Sequence, residues 1–147
     1  MGSSRERNER LSADEIIYDD NGLSFSLPEL VPPIAENGEW KLAHEWRVIY
    51  NGDLIKLPEG FSTDGASIPR VLWRVCGSPL DTPRLFAALV HDYLYRTGGT
   101  SEDRKRADTI YREVQKKLGI SAWKAWLEYY ALRAFGGSSF KLVSGTN

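Results

Sequence analysis

His91 and Asp92 are adjacent, both ionisable, and late in a stretch whose Leu85, Phe86, Leu89 and Val90 must be largely buried. Polar groups in such a setting need partners or a task. On successive helical residues an imidazole and a carboxylate point about 100° apart, so they can bind one ion or flank one substrate without touching each other. Either can act as a general base. Ala87 and Ala88, about one turn earlier, leave space above the imidazole. A second segment, Thr63-Asp64-Gly65-Ala66-Ser67-Ile68-Pro69, joins a strand to a helix. A loop opening a helix presents free backbone N–H groups to a phosphate or oxyanion, with Asp64 as metal ligand or base. Asp108 lies beside an apolar stripe. If the loop and both helices converge, Asp64, Asp92, Asp108 and His91 make an oxygen-rich site for a hard divalent ion. Ser67 and Tyr95 are the candidates to hold a substrate or anion.

Each of these residues also has an ordinary structural use. Asp64-Gly65 can form an Asx turn, and Ser67 can cap the following helix. Asp92 can pair with Arg96 at i,i+4 while His91 donates to a carbonyl of the 63–68 loop, and Asp108 can pair with Arg112. His44, among aromatic residues on a strand, reads as a satisfied core histidine. A Ser67–His91–Asp64 triad lacks a nucleophile-elbow context, and Arg104-Lys105-Arg106, without interleaved aromatics, reads as a solvated helix face.

The elements that must position these side chains change character midway. Ile16 to Tyr18 and the alternation Leu23, Phe25, Leu27 flank Asn21-Gly22 and read as a hairpin. From Glu39 to Tyr50, period 2 puts Trp40, Leu42, His44, Trp46, Val48 and Tyr50 on one face of a long strand. Asn51-Gly52 is a second turn signal, with Asp53 to Leu57 returning, so a meander of about four strands is predicted. Helical period begins at Pro69 to Cys76 and continues in Thr82 to Arg96, where Thr82 caps and Pro83 follows. A third helix is capped by Thr100 or Ser101 and buries Ala107, Ile110, Tyr111, Val114 and Leu118. A fourth, Ala122 to Phe135, is expected to face Trp123, Trp126, Leu127, Tyr130 and Ala134 inward. The fold class is therefore α+β: a small antiparallel meander in the N-terminal half, packed with three to four helices.

At 147 residues and 41% apolar content the chain can fill one core. The expected organisation is a charged arm at 1–14, one domain at 15–137 and a flexible Gly/Ser-rich tail at 138–147. Charges nearly cancel, 19 basic against 20 acidic, so no overall field attracts nucleic acid or an anionic membrane. Cys76 is the only cysteine, which leaves no internal disulfide and no Cys-rich zinc site. The opening residues lack the apolar stretch of a secretory signal, and no segment has the length of a membrane span.

Phe61-Ser62-Thr63-Asp64-Gly65-Ala66-Ser67-Ile68-Pro69-Arg70, Leu72-Trp73, His91-Asp92-Tyr93-Leu94-Tyr95, Ala107-Asp108 and Phe135-Gly136 together resemble the domain of unknown function 1353 family, over about residues 55–137. The resemblance implies a bacteriophage or prophage setting and directs attention to Asp64, His91, Asp92 and Asp108. It carries no activity with it. The His-Asp pair is also similar to that of secreted and bacterial phospholipases, where a helix-borne histidine activates water and calcium holds the phosphate. This chain has neither their paired cysteines nor their glycine-rich calcium loop.

The functional expectation is a hydrolase-like phage accessory protein in the host cytoplasm or the virion. His91 is its general base, oriented by Asp92, Asp64 and Asp108 or assisted by a divalent metal ion, and its substrate is a small molecule or an envelope component. The alternative is a non-catalytic virion component or host-factor binder in which the same residues are a structural network. Exposed aromatic area at Trp123, Trp126, Tyr129 and Tyr130 would favour an interface.

Overall fold

A computed structural model describes residues 17–20, 22–34, 38–65 and 81–143. The expected arm, the helix Pro69 to Cys76, Ser67 and Cys76 lie outside the described residues. Among the described residues, seven short strands precede three α-helices: β1 (Ile17–Asp20), β2 (Leu23–Ser26), β3 (Leu30–Val31), β4 (Trp40–Leu42), β5 (Trp46–Tyr50), β6 (Asp53–Leu57), β7 (Ser62–Thr63), then α1 (Thr82–Thr97), α2 (Ser101–Lys117) and α3 (Ala122–Phe135). The α+β class holds, but the strands form two antiparallel sheets, ordered β1-β2-β5-β6 and β3-β4-β7, where one meander was expected.

The strand predicted from Glu39 to Tyr50 breaks at residues 43–45, and its two parts join different sheets. The bend has identifiable bonds: Leu42 N–H donates to Phe61 O at 2.9 Å and Ala43 N–H to Glu29 O at 2.8 Å, which ties the chain to two neighbours at once. Period 2 survives the corner, since Leu42, Trp46 and Val48 are all buried. His44 does not follow it. It sits on the bend, three-quarters exposed, 3.0 Å from Glu29, so it is a surface residue and not the core histidine expected. Beyond β5, Asn51 and Gly52 both take positive φ, the backbone that a two-residue hairpin of right-twisted strands requires.

Leu23, Phe25, Leu42, Trp46, Val48, Ile55 and Leu57 point from the sheets onto α1, whose Phe86, Leu89 and Val90 meet them, and Ile110, Tyr111 and Val114 of α2 continue the same core. Trp46 is in edge contact with Phe25, ring centres 6.1 Å apart, and reaches Phe86 on the helix. Every residue from Arg84 to His91 is buried, so α1 is the central element. Its N-cap is Asp81, not Thr82: Leu85 N–H donates to Asp81 O at 2.8 Å, and the Asp81 carboxylate makes no cap bond but pairs with Arg84 Nη1 at 2.9 Å. Thr100 caps α2 in a reciprocal box with Asp103.

The inward face expected for α3 is overturned. Ala125, Glu128, Tyr129, Ala131 and Leu132 are buried, whereas Trp123, Trp126, Tyr130 and Ala134 are exposed and Leu127 is half-buried. The helix is apolar on several sides, so spacing alone admits more than one inward stripe. Glu128 decides between them, because Arg84 and Tyr111 supply its partners inside.

Nor does the fold end at residue 137. Phe140 is buried against Tyr95, and Lys141 N–H donates to Tyr95 O. Gly98, which ends α1 at φ 77°, lets this segment pass: a Cβ there would stand 2.1 Å from Lys141 O. Among the described residues no helix is long and apolar enough to cross a membrane.

Candidate functional site

α1 carries His91, Asp92 and Tyr95 over its last turns, and α2, packed against it, carries Asp108. Asp108 is 0% exposed, and a buried carboxylate is tolerated only with a full set of donors. It has three. His91 Nε2 stands 2.8 Å from Oδ1, Tyr95 OH donates to the same oxygen at 2.6 Å, and Arg133 Nη1 of α3 donates to Oδ2 at 2.8 Å. Burial pushes the Asp108 carboxyl up, but the bonds from His91, Tyr95 and Arg133 outweigh it and hold the group below the usual carboxylate range. Tyr95 moves the other way: burial and its bond to Asp108 raise the phenol, so it stays a donor. Arg104 Nε donates to Tyr95 OH at 3.1 Å while its Nη2 bonds Leu132 O and Arg133 O, which locks the end of α3 onto the cluster.

An ionised Asp108 can only accept, so Nε2 of His91 carries a proton and neutral His91 keeps its lone pair on Nδ1. The ring is held in place by Tyr95, 4.0 Å centre to centre, and by the edge of Tyr111 at 5.4 Å. Nδ1 faces Asp92 Oδ1 at 3.9 Å, beyond hydrogen-bonding range but close enough for charge to be felt. Burial works against the imidazolium, yet the bond to Asp108 and the nearby Asp92 prevail, and the His91 pKa is raised. Asp92 is fixed from its far side by Thr63 Oγ1, which donates to Oδ2 at 2.6 Å. That bond brings the 63–65 loop to the site.

The predicted residues are therefore partly united. His91, Asp92, Asp108 and Tyr95 form one cluster, with Thr63, Arg104 and Arg133 as members that sequence reading missed. Tyr95 is a buried donor to Asp108, not a surface group free to bind an anion. Asp64 is exposed on the loop next to Thr63. The bland pairings are replaced too: Arg96 lies over the Phe61 ring and Arg112 pairs with Glu113, while Asp92 and Asp108 take the partners above.

A single divalent ion shared by Asp64, Asp92, Asp108 and His91 does not fit this arrangement. Both oxygens of Asp108 are occupied, and Arg133 already places a positive charge against it. Among the described residues no three His, Cys, Asp or Glu side chains gather closely enough to hold a metal. Asp92, with one oxygen unbonded, and exposed Asp64 are the carboxylates that solvent ions can approach.

A second buried network lies about two turns back along α1. Arg84 and Glu128, each 1% exposed, are joined through Nε and Nη2 at 2.8 Å, and Tyr111 OH donates to the other Glu128 oxygen at 2.9 Å. Charges set among apolar neighbours, Arg84 before Leu85 and Glu128 among aromatics, were the available signals for it.

Residues 40–132 match the family described as a protein of unknown function (DUF1353), and the chain belongs to that family. The match takes in β4 and β5, upstream of the motif-bearing stretch, and all of α1 and α2. Among curated proteins it is similar to the uncharacterized protein y4jT of Sinorhizobium fredii, 34% identical over 86 residues, which are 58% of this chain and 25% of that one. It is also similar to the uncharacterized protein y4iH of the same organism, 37% identical over 84 residues, 56% of this chain and 34% of the relative. The matched region thus spans about a quarter to a third of these relatives' length. No solved structure matches.

Proposed function

We propose that the chain is a hydrolase-like accessory protein of phage or prophage origin in which His91 Nδ1 is the general base. The observation that carries this reading is the bond between Asp108 and His91 Nε2, which orients the ring and reserves Nδ1 for a proton. A carboxylate fixing one imidazole nitrogen while the other does chemistry is the logic of the catalytic triad. At 3.9 Å, Nδ1 and Asp92 Oδ1 are spaced so that one water can donate to both at about 2.8 Å. The water oxygen attacks an ester or phosphoester, its proton passes to Nδ1, and the imidazolium returns a proton to the leaving oxygen. Asp108 stabilises the imidazolium in between. A divalent ion would compete with that water for Asp92 Oδ1, the oxygen left open, and would supply polarisation of the substrate oxygen. The phage setting is carried by the family likeness alone.

A chromogenic ester and phosphoester panel tests this with wild type, His91→Gln and Asp92→Asn, in chelator and with added divalent ions. Hydrolysis should fall by about 10²–10⁴ in His91→Gln. Because the His91 pKa is raised and only the neutral ring is a base, the wild-type rate should climb as pH rises through that pKa. Asp92→Asn should lose any response to metal. Turnover unchanged in His91→Gln would sink the assignment.

The second reading, a non-catalytic virion component or host-factor binder, is favoured by the burial of His91, 5% exposed, and the saturation of Asp108. It requires that no member of the panel be hydrolysed.

A further inference from the structure

α3 buries its single carboxylate and shows its aromatic rings. Trp123, Trp126 and Tyr130 recur at i, i+3 and i+7, and they are 58%, 38% and 59% exposed. Trp126 and Tyr130 have ring centres 5.6 Å apart, and Trp126 also meets Tyr129 at 5.5 Å, so the patch is continuous along the helix. Cations sit on it. The Arg112 guanidinium lies 3.9 Å above the Trp126 ring and 4.6 Å from that of Tyr129, and Lys124 Nζ stands 5.6 Å from the Trp123 ring. Lys116, one turn past Arg112, shares Glu113 with it. Around this face, among the described residues, the open cations are Lys116 and Lys124, with Arg112 13% exposed beneath them, and they stand against the single carboxylate of Glu113, because Glu128 is 1% exposed and engaged by Arg84 and Tyr111.

We propose that this outer face of α3 docks on an anionic lipid–water interface. Trp and Tyr are the side chains whose apolar bodies and polar edges suit the headgroup boundary, and flanking Lys and Arg are drawn to anionic lipid while their stems lie along apolar surface. Charge separates this occupant from a second copy of the chain. A two-fold contact would set Lys124 and the Arg112–Lys116 cluster against their own images, whereas an anionic surface complements them. The overall charge of −1 gives no attraction of its own, so binding is local and reversible. The proposal stands apart from the hydrolase reading, because it needs neither His91 nor turnover.

Co-sedimentation with vesicles, followed in parallel by tryptophan fluorescence, tests it with the full chain. Vesicles of phosphatidylcholine containing phosphatidylglycerol should pull down wild type and shift its emission to the blue, and phosphatidylcholine alone should do so more weakly. The double variant Trp123→Ala/Tyr130→Ser, at exposed positions that leave the fold intact by circular dichroism, should lose at least about tenfold in partitioning. Lys124→Glu should lose about fivefold or more, on anionic vesicles only. His91→Gln should bind as wild type, so a failure of catalysis and a failure of docking are read separately. Equal partitioning of wild type and the double variant would overturn the proposal, as would absence of wild-type binding to either vesicle. So would a dimer in sedimentation velocity that the double variant dissociates, since the face would then belong to a second copy.

Discussion

Arg84 and His91 lie about two turns apart on α1. Each is buried and tied to a carboxylate on another helix, and Tyr111 touches both systems, its hydroxyl on Glu128 and its ring against His91. They differ in what happens to the proton. The Arg84 guanidinium keeps its charge at any accessible pH, with Glu128 as its buried counter-charge and Asp81 a second at the helix start. The His91 ring can become neutral without stranding its carboxylate, because Arg133 still balances Asp108 and Tyr95 still donates to it. The first network is a clamp between α1 and α3. The second has the same construction with one exchangeable proton placed in it, and that proton faces Asp92, which is partly open to solvent. A buried ion pair alone is therefore no sign of function, whereas a buried pair that tolerates proton loss is a candidate acid–base site.

The comparison breaks first on stability. Glu128→Gln removes the buried anion from a guanidinium that is 1% exposed and cannot shed its charge, leaving it the half-exposed Asp81 carboxylate, so urea titration should show a loss of about 3–5 kcal/mol. Asp108→Asn should cost less, about 1–3 kcal/mol, since His91 can go neutral and Arg133, 29% exposed, can turn to water. If the Asp108 variant proves the less stable of the two, the distinction between clamp and proton site fails. Its effect on turnover should be the larger one instead, about 10²–10⁴ slower, because the Asn amide can present a donor to Nε2 and reverse the tautomer that leaves Nδ1 basic.

The α+β division, both hairpin turns and the bounds of α1 to α3 were legible because each rests on local chemistry: Gly22 and Gly52 at positive φ, the Thr100 cap of α2, glycine stops. The grouping of strands was not. Period 2 runs unbroken through residues 40–50, and only the bonds to Glu29 and Phe61, distant in sequence, reveal the corner that expels His44. For the same reason His91, Asp92 and Asp108 could be picked out singly, but their mutual geometry could not. Arg96 and Arg112 are their partners by helical spacing, whereas Thr63 and Arg133 are their partners in space. The α3 face failed because a helix apolar on several sides has no unique stripe, and its choice was made by Arg84 on another element. Near-zero net charge likewise hid a cationic, aromatic face, since a sum over the chain says nothing about where charges gather.

The smallest expected effect is also the sharpest test of the comparison, because only one network should respond to pH near neutrality. The folded His91 pKa is raised above the ordinary value of about 6.5, so the folded chain binds this proton more tightly than the unfolded one. Its stabilisation is complete below that ordinary value and is lost as pH rises through the folded pKa. Asp108 has the opposite sign: its lowered pKa adds stability at neutral pH that disappears only as pH falls through the depressed value. Thermal melts stepped upward from about pH 6 should therefore show a declining midpoint in wild type, and His91→Gln should remove that decline. Glu128→Gln should keep it while lying lower throughout, since Arg84 does not titrate in this range. A decline that persists in His91→Gln would place the proton elsewhere, and His91 would then be a fixed member of the scaffold like Arg84.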